Sequence, residues 1–375
     1  MNEIDQLRYF LCNNEDWEAT LTSPPYNLIT KRDKGYLLLK YSQINSDFSE
    51  KMVQGARGVI FDEENHFEIV CRPFKKFFNF GEELVDSIDW ESSVVQEKLD
   101  GSILKSWYSE RLGEWVLSTN GVIFGQDVPI MYSQQGIETF GNMVGRVKQF
   151  NPSKFFRNLT YIFEIVGPNN RVVVPYENID LYFLSAIETK TGMEYPLEED
   201  MKKYSRPKEF SFDSLDEVVA FSRSPAFNNY KNEGFVVKDK HYHRVKIKTE
   251  DYLRIHRIRG EAIPNDKKIL ELVLMGEQDE FLSYFPEYTE QFITMAKKVN
   301  GYQQELVVQV TEMLRLPDEE YSTRKKFADW AKKQKDPAVL FGIHDGKIES
   351  LKEWARSLRT EVLLKRLSQV DVDTE

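Results

Sequence analysis

Between Tyr36 and Lys248 the apolar residues come in short runs that are β-branched or aromatic and bounded by turn residues. They are Tyr36-Leu37-Leu38-Leu39, Gly58-Val59-Ile60-Phe61, Phe67-Glu68-Ile69-Val70, Trp115-Val116-Leu117, Tyr161-Ile162-Phe163, Arg171-Val172-Val173-Val174, Leu181-Tyr182-Phe183-Leu184 and Gly234-Phe235-Val236-Val237. Runs of this length and composition predict strands in antiparallel sheets. Ahead of them Ile4, Leu7, Phe10 and Leu11 recur at helical spacing, and the turn signal Ser23-Pro24-Pro25 follows. One inserted helix is predicted over Leu215–Ser222, behind the cap signal Asp213-Ser214. After Arg259 the period changes. Phe292, Met295, Val299, Tyr302, Leu306, Val310 and Met313 follow a three-four spacing, as do Ile348, Leu351, Ala355, Leu358 and Val362. The last third is therefore expected to be helical, broken into at least three pieces by Pro317, Pro337 and Gly342, with a polar end at Asp371–Glu375.

Length and composition narrow this picture. A chain of 375 residues with 41% hydrophobic residues can bury a substantial core and fill two domains. No apolar run reaches the length of a membrane span, the mean hydropathy is −0.51, and the first residues lack the basic start and apolar core of a leader, so a cytoplasmic protein is expected. Cys12 and Cys71 stand far apart with no metal-ligand spacing, which predicts free thiols. His241 and His243 would share a strand face but lack a third ligand, leaving them a phosphate-facing or solvated role. Neither GxxxxGK[ST] nor GxGxxG precedes a helix, which excludes P-loop and Rossmann enzymes at the motif level. The net charge of −11 opposes a general attraction to nucleic acid. Local potential governs binding, however, and Lys238–Arg259 holds eight basic residues against Asp239, Glu250 and Asp251.

Candidate chemistry sits in five segments in a fixed order: Glu97-Lys98-Leu99-Asp100-Gly101-Ser102, Ser118-Thr119-Asn120-Gly121, Phe163-Glu164-Ile165-Val166-Gly167-Pro168, Asn232-Glu233-Gly234-Phe235 and Val245-Lys246-Ile247-Lys248. A lysine is protonated at neutral pH, so Lys98 must lose its proton to act as a nucleophile; burial and nearby cations such as Lys246 and Lys248 would favour that. Strand alternation puts Lys246 and Lys248 on one face, aiming two ammonium groups at one ligand. Glu164 and Glu233 stand among apolar residues, where a carboxylate needs a partner: a metal ion, ribose hydroxyls, or an ion pair to Arg72 or Arg171. Gly101 allows a tight turn, and Asp100 can orient the lysine or hydrogen-bond a nucleotide.

With these motifs the chain resembles the covalent nucleotidyltransferases, the superfamily of polynucleotide ligases and capping enzymes, and within it the RNA ligases of the T-even bacteriophage type. Ala56-Arg57-Gly58-Val59-Ile60-Phe61 and Cys71-Arg72-Pro73-Phe74-Lys75-Lys76-Phe77-Phe78-Asn79 carry the narrower likeness, which spans Tyr36 to Tyr252. The resemblance implies an α+β fold: a nucleotidyltransferase (ATP-grasp-like ligase) domain of antiparallel sheets at residues 1–255, followed by an all-α C-terminal domain at 256–375. It implies an ATP-dependent RNA ligase in which Lys98 takes AMP from ATP, passes it to an RNA 5′-phosphate, and lets a 3′-hydroxyl displace it. Lys246 and Lys248 would contact the α-phosphate, Arg57 and Lys76 the outer phosphates, and Glu97 the adenine. Glu164 and Glu233 would serve the ribose and a Mg²⁺ (or Mn²⁺) ion. Asn120 departs from the pattern, which has lysine or arginine before that glycine, so its contact must be a hydrogen bond. Tyr252 also matches. The implied partner is RNA with 5′-phosphate and 3′-hydroxyl ends, tRNA among them, with the protein a monomer in the cytoplasm, the host's if phage-encoded.

Three alternatives remain open on the residues: a DNA ligase, which would ordinarily append an OB-fold where this chain turns helical; an mRNA guanylyltransferase; and a catalytically silent RNA-binding protein on the same fold.

Overall fold

The computed structural model describes residues 1–368 except 44, 128, 134–135, 198, 260–263, 276–277, 317–323 and 349–357. The chain divides into two compact units, Met1–Arg254 and Ile255–Glu375. The first holds three larger sheets and a hairpin, with antiparallel pairing within each sheet. One sheet runs β1 (Ile29–Asp33), β2 (Tyr36–Lys40), β3 (Arg57–Asp62), β4 (Glu68–Cys71). Later strands are β5 (Val94–Glu97), β6 (Ser102–Ser109), β7 (Glu114–Ser118), β8 (Pro129–Ser133), β9 (Gly136–Thr139), β10 (Leu159–Val166), β11 (Asp180–Glu188), β12 (Glu194–Tyr195), β13 (Glu209–Phe210), β14 (Gly234–Lys238) and β15 (Arg244–Lys248). They form a five-stranded sheet in the order β12-β11-β10-β6-β7, a four-stranded sheet β13-β5-β14-β15, and the β8-β9 hairpin.

Alternation explains how these strands are buried. In β2, Leu37 and Leu39 join a core with Ile4, Leu7 and Leu11 of the helix Glu3–Asn13, while Tyr36 and Leu38 point the other way onto Trp107 and Val116. Both faces are covered, which is why the run Tyr36–Leu39 is apolar throughout. In β10, Tyr161, Phe163 and Ile165 fill one core and Ile162 packs on Phe74 across the sheet. In β14 and β15, Phe235, Val237, Val245 and Ile247 meet Val218 of the helix Leu215–Ser222. That helix starts as expected: the Ser214 side chain accepts a hydrogen bond from the Glu217 backbone N–H.

Three sequence expectations need correction. Arg171–Val174 is not a strand, although Val173 and Val174 are buried. Their backbone N–H groups both donate to Asp100 Oδ2, at 2.7 Å each, so a side chain has taken the donors a ladder would need. His241 and His243 lie in the turn between β14 and β15, not on a strand. Gly342 sits inside the helix Pro337–His344 and does not end it; a Cβ there would lie 2.2 Å from Ile348 Cδ1, so the glycine makes room for a packed isoleucine. Pro337 opens that helix at its first turn, where its missing N–H costs nothing.

Among its described residues the second unit holds helices and no strand, with Thr289–Leu314 the longest helix. Phe292, Met295, Val299, Tyr302, Leu306 and Met313 are buried on it. Of the later helical pattern, Leu351 and Ala355 lie outside the described residues, as do Pro317 and the end Asp371–Glu375. Ile348 and Leu358 are not helical; Val362 falls in the helix Thr360–Leu367 but is exposed, and Leu363 and Leu367 face inward instead. No helix among the described residues is long and apolar enough to cross a membrane.

Candidate active site

The two sheets that carry β10 and β14–β15 wall a cavity of about 370 Å³ whose lining includes Arg57, Glu97, Lys98, Gly101, Asn120, Glu164, Lys246 and Lys248. The same alternation that buries Val245 and Ile247 turns Lys246 and Lys248 into it, and Glu164 lies on the β10 face opposite Phe163 and Ile165.

Lys98 follows the last residue of β5, and its backbone N–H donates to Gly234 O at 2.8 Å, which pins the Lys98 turn to β14. Gly101 answers a packing demand of its own: a Cβ there would lie 2.3 Å from Ile165 O. The Lys98 Nζ donates to Glu233 Oε2 at 2.8 Å, and Lys248 Nζ pairs with Glu233 Oε1 at 3.0 Å. One buried carboxylate therefore bridges two lysines. Sequence reasoning expected burial and cations to strip the proton from Lys98. Burial does push its pKa down, but Glu233, Glu164 and Asp100 outweigh it and hold Lys98 above the usual lysine value. Lys98 is thereby held as an ammonium ion.

The lowered lysine is its neighbour. Burial, reinforced by the charges of Arg57, Lys98, Lys76 and Lys248, pushes Lys246 down to about 7. Opposite it, burial pushes the Glu164 carboxyl up to about 8; the Lys98 charge and a 3.1 Å hydrogen bond from the Gly101 N–H oppose that shift, while Glu233 and Asp100 add to it. Arg57 is also lowered by burial, partly offset by Tyr41 and Glu164. The cavity thus contains an amine and a carboxyl each held near neutrality for want of a counter-charge.

Asp100 is not a lining residue. Besides the two backbone N–H groups it accepts at Oδ2, its Oδ1 accepts from the Tyr252 hydroxyl at 2.7 Å. Both oxygens are engaged within the protein, so Asp100 fastens the Lys98 turn. Lys76 does not line the cavity either. Its Nζ stands 3.9 Å from the Phe48 ring centroid and near Tyr41 and Phe78, and burial lowers its pKa. Glu97 lines the cavity while its Oε1 accepts from the Lys208 backbone N–H at 3.2 Å. The Asn120 Oδ1 is buried with no hydrogen-bond partner among the described residues, an acceptor left for something else to satisfy. Among the described residues Glu233 pairs with Lys98 and Lys248, while Arg72 pairs with Asp5.

Sequence reasoning gave no individual role to Phe74 or Phe77 and counted Lys238 and Arg244 only within a basic stretch able to contact phosphates; all four line the cavity. Arg244 shares the strand face of Lys246 and Lys248, so extending the alternation by one step finds it. Its guanidinium stacks 4.2 Å from the Phe74 centroid and pairs with Glu194 at 2.6 Å. No group of three or more metal-ligating side chains is found among the described residues. A magnesium ion needs only one or two carboxylates beside water and phosphate oxygens, and Glu164, uncompensated and facing the cavity, fits that donor set.

Comparison with known proteins gives the arrangement relatives. A profile of the family described as RNA ligase matches residues 55–252, more than half of the chain. A putative bifunctional polynucleotide kinase/RNA ligase of Autographa californica nuclear polyhedrosis virus is 30% identical over 273 residues, covering 67% of this chain and 37% of that protein. The chain therefore spans little more than a third of that relative's length. An RNA ligase of Rhodothermus phage RM378 is 24% identical, with 97% of this chain and 98% of that one covered. Among solved structures, an archaeal ATP-dependent RNA ligase is similar at 15% identity and a TM-score of 0.45, over 97% of this chain and 90% of that one.

Proposed function

The chain belongs to the RNA ligase family, and we propose that it seals RNA ends through a covalent adenylate on Lys98. The observation that carries this reading is the Lys98–Glu233–Lys248 bridge at 2.8 and 3.0 Å on the wall of a cavity that also holds Arg57 and Lys246. ATP is the expected substrate. Its phosphates bring negative charge to Lys246, which sits among cations, and to Arg57 and Lys248 beside it, and binding would return Lys246 to its charged form. Lys98 then gives a proton to the Glu233 carboxylate, the base within reach, and the Nζ lone pair attacks the α-phosphorus. A P–N bond forms, the bond from the α-phosphorus to the bridging oxygen breaks, and pyrophosphate leaves. Glu164 would hold a divalent ion together with the phosphates; when bound, such an ion spreads and neutralises phosphate charge. Asn120 Oδ1 suits a ribose hydroxyl, and Glu97 lies where a base contact is available.

In the later steps AMP passes from Lys98 to an RNA 5′-phosphate, and a 3′-hydroxyl displaces it to make the phosphodiester. Repair of cleaved RNA, with tRNA a substrate, follows from the likeness to phage ligases. The domain division at residue 255 is kept as the boundary between the adenylylating part and the helical part.

Intact-mass measurement after incubation with ATP and magnesium tests the chemistry. Wild type should gain one adenylate and Lys98→Ala none, with GTP giving no adduct. A wild type that stays unmodified overturns the ligase mechanism, and an adduct on GTP alone turns the reading toward a guanylyltransferase.

A further inference from the structure

A second cavity, of about 390 Å³, shares Phe74, Phe77 and Arg244 with the first, so a single layer of side chains separates them. It is large enough for a nucleoside. Its charge differs in kind from the first. Each arginine or lysine in its lining has a carboxylate partner: Arg72 with Asp5 at 2.6 Å, Lys75 with Asp86 at 3.1 Å, and Arg244 with Glu194 at 2.6 Å. A balanced wall gives little to a multiply charged phosphate and suits an uncharged polar ligand.

The rest of the lining offers flat and soft surfaces. Tyr242, His241 and His243 come from the β14–β15 turn, and Met193 from the turn after β11 is 57% exposed. The turn is held in an unusual shape. Tyr242 has φ +62°, in the left-handed region that non-glycine residues seldom occupy. Asp239 organises it by accepting from the backbone N–H groups of His241 and His243 at 2.9 and 3.0 Å, and from the His243 ring at 3.0 Å. A strained non-glycine residue at the mouth of a cavity is a frequent mark of a functional turn.

We propose that this second cavity takes the 3′-terminal nucleoside of the acceptor RNA, its base stacked against Tyr242 and Met193. The proposal rests on the ligase reading above and names the second substrate's place. A donor end arrives with phosphate and adenylate and belongs in the cation-rich cavity; an acceptor ends in an uncharged hydroxyl and matches the balanced one. Because Phe74, Phe77 and Arg244 line both cavities, the two substrates would lie side by side, and joining would require the acceptor's 3′-hydroxyl to reach past these side chains into direct contact with the donor phosphorus. Stacking tolerates any base, so the subsite would demand a base without reading its identity.

The test separates adenylation from sealing. Tyr242→Ala and Met193→Glu, neither in the lining of the first cavity, should form the Lys98 adenylate at the wild-type rate, which also reports that they fold. With a pre-adenylated donor, their KM for an RNA acceptor should rise about ten-fold or more. An acceptor whose terminal nucleotide lacks its base should be sealed equally poorly by wild type and variants. As a measurement that needs no variant, 2-aminopurine at the acceptor's 3′ end should change fluorescence on binding wild type, more than the same base placed six nucleotides inward. Normal adenylation with an unaltered acceptor KM, or equal fluorescence changes at the two positions, overturns the acceptor subsite alone. A wild type that never adenylates sinks the ligase reading and this inference together.

Discussion

Two of the polar clusters buried among the described residues are built on opposite plans. In the helical unit, Asp336 accepts from the Tyr302 hydroxyl at 2.6 Å and pairs with Arg366 at 2.9 Å, while its own N–H goes to Gln309 Oε1 at 3.2 Å. Each charge there has an opposite charge or a hydrogen bond beside it. In the first unit, Glu233 satisfies Lys98 and Lys248, but Lys246 sits among cations, and for Glu164 burial with the charges of Glu233 and Asp100 outweighs the Lys98 charge and the Gly101 N–H. Those two are held at about 7 and about 8, far from where a carboxyl and an amine normally titrate. A cluster closed on itself holds helices together; one left short of counter-charge is made complete by what binds it.

The contrast can be broken from either side. The largest effect should come from Lys246→Met, which removes a cation meant for phosphate: adenylation, followed as pyrophosphate release, should fall roughly 100- to 1000-fold, and a near wild-type rate would remove Lys246 from the phosphate site. Asp336→Ala should instead cost about 3–5 kcal/mol in a urea titration, because it strands the Arg366 charge. Adenylation per folded molecule should not change. Glu164→Gln should act in the reverse direction on stability, raising it on the order of 1–2 kcal/mol at pH 9 while adenylation is lost. The sign follows from its raised pKa: the native state holds the proton longer than the unfolded one, so stability falls as pH rises from the ordinary carboxyl value of 4.5 to about 8. The gain from Gln should therefore vanish in acid, and a constant gain at all pH values would refute the titration. The smallest effect sharpens the comparison. ATP affinity should weaken several-fold between about pH 6 and pH 8 as Lys246 loses its proton, and this dependence should be shallower in Lys246→Met.

Much of the site was legible because it rests on local rules. Alternation alone placed Lys246 and Lys248 on one face, and the apolar context of Glu164 and Glu233 announced carboxylates in need of partners. The helix Leu215–Ser222 was readable from its cap, and the strands from their short β-branched runs. What escaped was set by residues distant in the chain. Val172-Val173-Val174 reads as a strand because it is a β-branched run, yet Asp100, more than 70 positions earlier, claims the backbone donors of Val173 and Val174. The protonation of Lys98 was misjudged for the same reason: the chain order shows lysines near in motif sequence, while the fold sets Glu233 against it. Gly342 was taken for a helix breaker because its use, clearance for Ile348, lies outside the helix that contains it.

Asp100 carries a consequence for where a working enzyme can be cut. Its grip on Tyr252 ties the loop behind the nucleophile to a helix that starts at Glu250, two residues past the final lysine of the cavity. A fragment stopped at Lys248 would retain all the ionised groups assigned to phosphate chemistry and still lose the clasp that steadies Lys98. Under the proposed mechanism, a truncation should therefore keep an uncharged phenol, Tyr252, and not stop at the last cation.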